Sequence, residues 1–258
     1  MSDSPAAAIA FVETLDLPDI GLGPLRGTEA AALPPPDFTK TGSDSVAVGS
    51  QIAAFAEGFD EGLREPIANA FLLAQLAADK QIEKTGGDTE AWYREYVRVL
   101  GGLGLTDEDR AITLKEVTGT TLEVHKEIIP VLTAVMAPAV GAATALKAVL
   151  DGLAAMDKNS PWITLFDRTS QRAEANQFQI SYADVVDGVP VISLAAFVLE
   201  AHRAVTQVLF FRFSDSGARL RHFSKRMTVN PTAFGAAGPA VARKLAERTQ
   251  DFVADIEI

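Results

Sequence analysis

The stretch IIPVLTAVMAPAVGAATAL, from Ile128 to Leu146, contains no charged side chain. A run of this kind must be hidden from water, either in a bilayer or in a protein core. Its length suits a span, because about twenty apolar residues cross a hydrocarbon layer. Its strength does not. Only Ile128, Ile129, Val131, Leu132, Val135, Val140 and Leu146 are strongly favourable in lipid, together roughly −2 to −4 kcal/mol. Pro130, Pro138, Gly141, Thr133 and Thr144 oppose them, so insertion is marginal.

Spacing narrows the choice. Ile128, Leu132, Val135, Ala139, Ala142, Leu146, Val149 and Leu153 alternate steps of four and three, while Thr133, Thr144, Lys147 and Asp151 occupy the opposite arc. A helix half covered by neighbours gathers its polar groups this way, whereas one surrounded by lipid has no need to. The segment is therefore expected to be the central apolar helix, residues 128–156, of a helical bundle. Ile128, Leu132, Val135 and Leu146 are the residues that would enter a membrane if the helix left its sheath. By architecture alone, this parallels α-helical pore-forming proteins.

Around that helix, the pattern predicts an α+β protein: an N-terminal helical bundle followed by an antiparallel four- to five-stranded sheet with a C-terminal helix. Residues 1–45 read as an extended arm rich in Pro, Gly, Ser and Thr, with a short helix suggested by Ile9, Val12 and Leu15. Residues 46–158 read as the bundle. Val48, Ile52, Phe55 and Phe59 suggest its first helix, and Ile67, Phe71, Ala74 and Ala78 its second. Asp88 is placed to cap a third, TEAWYREYVRVL, and the acids of TDEDR favour a helix start after Thr106. Residues 159–258 change period. FQISYADVV and PVISLAAFVLEA are joined by Asp187-Gly188, a strong two-residue hairpin signal. VTQVLFFRF and RLRHFSKRMTV, joined through SDSG, suggest a second hairpin, and GPAVARKLAERTQDFVADI a helix covering one face of the sheet.

Charge and composition exclude several functions. The net charge of −11 argues against nucleic-acid binding. The absence of cysteine removes disulfides, thiolate metal sites and cysteine nucleophiles. The first residues lack the basic region of a secretory signal and carry Asp3, Glu13 and Asp16, so the chain is expected to be cytoplasmic as synthesised, with any export by another route; its lack of cysteine is shared by many exported bacterial proteins. His125, His202 and His222 share no ligand spacing, GLGPLRG lacks the strand and helix a dinucleotide fingerprint needs, and TDEDR lacks the rest of a calcium loop. No catalytic residue, metal site or cofactor is expected.

Two groups stand out from this background. Arg212, Arg219, Arg221, Lys225 and Arg226 crowd one predicted strand region, in a C-terminal part carrying 11 Lys+Arg against 10 Asp+Glu, while residues 1–160 carry 12 against 24. They are candidates for contact with an anionic membrane or with the acidic region of another copy. Trp92, Tyr93 and Tyr96 ring one helix and are the candidate pocket or interface. Three functional classes follow. The leading one is a non-enzymatic, surface-acting protein with a sheathed apolar helix: a self-associating, membrane-active effector or toxin-like protein. The second is a scaffold subunit of a homo-oligomer. The third is a small-molecule binder or enzyme whose site has no local motif.

Overall fold

Asp187 and Gly188 both adopt left-handed backbone, φ 52° and 79°. That is the geometry of the two-residue turn whose twist matches a right-handed hairpin. It joins β6 (Asn176–Val186) to β7 (Val189–Ala201) with Val186 opposite Val189, and the register runs unbroken to Asn176 opposite Leu199. The computed structural model describes residues 4–18, 45–107, 115–117, 122–136, 170, 176–201, 208, 212–213 and 218–254. The remaining elements, in chain order, are α1 (Pro5–Thr14), β1 (Ser45–Val48), β2 (Gln51–Phe55), α2 (Glu61–Thr85), α3 (Thr89–Gly102), β3 (Leu105–Asp107), β4 (Lys115–Val117), β5 (Leu122–Glu123), α4 (Val124–Met136), β8 (Arg212–Phe213), β9 (Ala218–Val229) and α5 (Pro231–Ala254). They fall into two compact units, one holding α1, α2, α3 and α5, the other the sheet and α4.

In the sheet unit the strand order is β1-β2-β6-β7-β9, with β4 on the other edge of β9. Most pairs are antiparallel, but β2 runs parallel to β6, with Ile52 beside Ile180. The expected antiparallel sheet is therefore mixed. Parallel neighbours need a long crossover, and here more than 100 residues separate β2 from β6. Buried side chains reinforce this junction. Ser50 Oγ donates to Gln179 Oε1 at 3.1 Å, and Gln51 Nε2 donates to Ser181 Oγ at 2.9 Å. A slip of two residues would separate these groups from their partners, so they fix register where Ala53 and Ala54 provide little shape.

Residues 177–183 and 191–199 are buried at every position. The sheet is thus covered on both faces there, not on one as the sequence reading expected. That explains the near-continuous apolar run of β7, since a two-sided strand has no solvent face to mark with polar residues. Phe178 and Phe197, opposite each other, stack at 5.1 Å.

The helical unit draws its helices from both ends of the chain. Asp88 caps α3 through Ala91 N at 2.9 Å. Asn230 caps α5 by accepting from the backbone N–H groups of Thr232 and Ala233, with Pro231 at the first helical position. α5 therefore starts seven residues before the GPAVARKLAERTQDFVADI stretch that the sequence suggested, and it packs on α1 and α2. α1 is held by Ala8, Val12, Leu15 and Leu17, all buried, and by two ion pairs, Asp16 with Lys84 and Glu13 with Arg243. Its Phe11 ring lies where a Cβ on Gly102 would be, and Arg98 lies over that ring, 5.2 Å from its centre.

Other expectations are corrected. Residues 45–55 are a hairpin, turned at Gly49 (φ 56°), not a helix. Leu105–Asp107, Lys115–Val117 and Leu122–Glu123 are strands where a helix was expected after Thr106. Arg212–Phe213 pair with Leu122–Glu123, and β9 pairs with β7, so the described residues do not form the expected second hairpin. α4 joins the sheet unit, so the contiguous bundle over 46–158 gives way to helices gathered from residues 5–14, 61–102 and 231–254. The helix expected beyond Met136 lies outside the described residues.

Gly102→Val should force Phe11 from its seat and destabilise the protein by about 1–3 kcal/mol. Adding Phe11→Ala should make the pair of changes less costly than their sum, as read by urea denaturation. Acid should loosen the same contact. The hydrogen bond from Lys84, and its charge, hold the Asp16 carboxyl below its ordinary value of 3.8. A lowered carboxyl stabilises fully above its unfolded value and loses that contribution as pH falls through the folded one. Amide protection of α1 should therefore decline, relative to α3, below about pH 4.

Candidate functional site

The apolar and basic candidates meet in the sheet unit, where α4 packs on β7 and β9. α4 presents Val124, Ile128 and Leu132 inward, each buried, with Val135 half-buried at the end of the same stripe. Lys126, Pro130, Thr133 and Ala134 are exposed. Spacing of four residues puts the buried three on one line, as the uncharged sequence suggested. Pro130 lies within the helix, on its solvent side. It removes one backbone donor, a change of roughly 3 kcal/mol in an ordinary helix interior, and makes this the place where α4 bends most readily. The hydroxyl of Thr133 donates to Ile129 O at 2.9 Å across that turn. Leu146 lies outside the described residues.

The basic residues separate by strand parity. Arg219, Arg221 and Lys225 share one face of β9, and Arg226 lies on the other with His222. Their environments differ sharply. Arg219 and Arg226 are exposed. Arg221 is half-buried and donates to Glu200 of β7. Lys225 is buried, its ammonium 2.8 Å from the Asp107 carboxylate, with side chains 3% and 11% exposed. Arg212 is in β8, paired through its backbone with Glu123. The four cations of β9 thus do not converge on one point, and of those four Arg219 and Arg226 face solvent.

The Lys225–Asp107 pair could not be foreseen from the sequence. Asp107 reads locally as an acid favouring a helix start, and nothing in the spacing links it to a strand 118 residues later. Its one available signal was a lysine among Phe223, Met227 and Val229 on the buried face of β9.

Trp92, Tyr93 and Tyr96 belong to the other unit. All three are buried. Trp92 stacks on Tyr96 at 5.4 Å, meets Tyr93 edge-on at 4.9 Å, and donates from Nε1 to Asp79 Oδ1 of α2 at 2.6 Å. The rings form the seam between α2 and α3, with the indole's one polar atom satisfied. Among the described residues, no group of three or more His, Cys, Asp or Glu side chains could hold a metal ion. No helix among them is long and apolar enough to cross a membrane.

No protein-family model matches the chain. No curated protein matches it either. Among solved structures it is similar to a delta-endotoxin, with a TM-score of 0.39 and 16% identity over 70% of this chain and 82% of that one. It is also similar to the Evf virulence factor, with a TM-score of 0.30 and 12% identity over 77% of this chain and 78% of that one. At these values the likeness is one of loose architecture.

Lys225→Met should destabilise the protein by about 3–5 kcal/mol, because it leaves the Asp107 carboxylate buried without its cation. Combining it with Asp107→Leu should restore most of that stability in urea denaturation.

Proposed function

We propose that the protein is a membrane-active, toxin-like effector that acts through its surfaces, with α4 as the element that engages lipid. The observation that carries this reading is the way α4 is stored. Its apolar stripe is held against β7 and β9, while its other side is exposed and bears a single cation, Lys126, paired with Glu123 at 2.8 Å. A stripe buried against a sheet or in lipid is removed from water either way, so for the helix itself the exchange changes the hydrophobic term little. What opposes the exchange is the face of β7 and β9 that it uncovers.

Pattern sets the mode of engagement. With one side buried and apolar and the other exposed and polar, α4 engages lipid with its apolar side down, in the interfacial region. Charge sets the target. Arg219 and Arg226 are exposed on opposite faces of the neighbouring strand, and whichever of them meets an anionic surface adds about 1 kcal/mol at low salt. The chain as a whole, at net −11, is repelled by the same surface, which favours an approach with β9 and α4 leading.

Dye release from anionic vesicles tests the reading. The wild-type protein should release dye, less so as salt rises. Val135→Asp is the informative change. Val135 is only half-buried, so the variant should keep its fold, whereas Leu132 is buried and its replacement would confuse folding with activity. The variant should lose release by at least about tenfold, since a carboxylate opposes insertion by a few kcal/mol. Release unchanged in Val135→Asp would contradict the assignment of α4.

A further inference from the structure

The seat of α1 has the properties of a receptor for a peptide helix. We infer that it is exchangeable: the α1 of one copy docks on the α3 and α5 of a second, giving a reciprocally swapped dimer. This does not depend on membrane activity.

Four observations support it. First, everything that holds α1 comes from distant sequence. Phe11 is seated at Gly102 under Arg98, Asp16 pairs with Lys84, and Glu13 pairs with Arg243 while its carbonyl accepts from Lys244. Such contacts are the same whether α1 arrives from its own chain or from another. Second, α1 has 10 residues, too few to be a stable helix alone in water. It therefore acquires structure by docking, as a helical peptide does in a groove. Third, residues 19–44 separate it from β1, a covalent reach of up to about 90 Å. Chain length therefore does not confine α1 to its own copy. Fourth, the seat is selective. Ala8 and Val12 are fully buried, and the close approach at Gly102 admits a ring only because no Cβ is present. The occupant it fits is α1 itself, so the partner is a second copy of this chain. Exchange of an identical element leaves all the contacts of both copies intact, which makes it a low-cost route to a closed two-fold dimer.

The absence of cysteine makes the test clean. Glu13 and Arg243 touch each other yet are each 55% exposed, so thiols placed there are reachable. Chains carrying only Glu13→Cys and only Arg243→Cys are mixed at high concentration, then treated with a short bis-maleimide. Swapping should give a covalent dimer of one chain of each kind. A control pairing Glu13→Cys with Glu57→Cys, an exposed position in the sheet unit, should give little. The double variant Glu13→Cys/Arg243→Cys, cross-linked within one dilute chain, should stay monomeric by sedimentation velocity at concentrations where the wild type dimerises. The inference is overturned if the wild type is a monomer at every concentration, if the tethered variant dimerises as well as the wild type, or if the mixed chains cross-link no more than the control.

Discussion

The two-residue turn at Asp187-Gly188 governs the sheet unit. With both residues in left-handed backbone, the turn leaves β6 and β7 only one register. That register puts Phe178 on Phe197 and sets out the edges to which β2 and β9 add. A one-residue slip would turn Phe178, Ile180 and Tyr182 to the opposite face and bring Gln177, Gln179 and Ser181 in their place. Because both faces are buried, such a slip would strand polar groups as well as misplace apolar ones. Ser50 and Gln51, which meet Gln179 and Ser181, would then find no partners. One tight turn thus determines both the packing of the rings and the pairing of the amides.

The two units use charge differently. In the helical unit the ion pairs are exposed, as between Glu13 and Arg243 or Glu90 and Arg94, and each contributes less than about 1 kcal/mol. Apolar side chains, above all those of the α2–α3 seam and the seat of α1, hold that unit. In the sheet unit Lys225 and Asp107 are paired out of water, where losing one partner is far more damaging than losing both. Arg219 and Arg226 are exposed, and they lie on a strand against which the apolar helix is stored.

How much of this was legible in the sequence depended on distance along the chain. α2, α3, the Asp88 cap and the Asp187-Gly188 hairpin were readable because their determinants are local: caps, an apolar stripe, a turn that admits one geometry. Val48, Ile52, Phe55 and Phe59 misled because spacings of three and four also arise around a strand such as β2, which is buried at every position and so shows no alternation. SDSG signalled a turn, but a loop of that length does not choose a partner, and β7 offered β9 a long complementary edge. The basic cluster was visible as composition, but which cations are buried, paired or exposed depends on Asp107 and Glu200, which no spacing connects to it. The apolar stripe of α4 was read correctly for Ile128 and Leu132. Its cover proved to be a sheet because the missed strands and α5 rearranged what surrounds it.

The central claim is that α4, and not the hairpin beside it, is the element that exchanges protein for lipid. Hydrogen exchange of the whole protein, with and without anionic vesicles, tests it most directly. The expected result is altered protection confined to Val124–Met136, with amides of Phe178–Ala183 and Val191–Leu199 among the slowest in both conditions. Loss of protection in β6 and β7 on adding vesicles, with α4 unchanged, would contradict it.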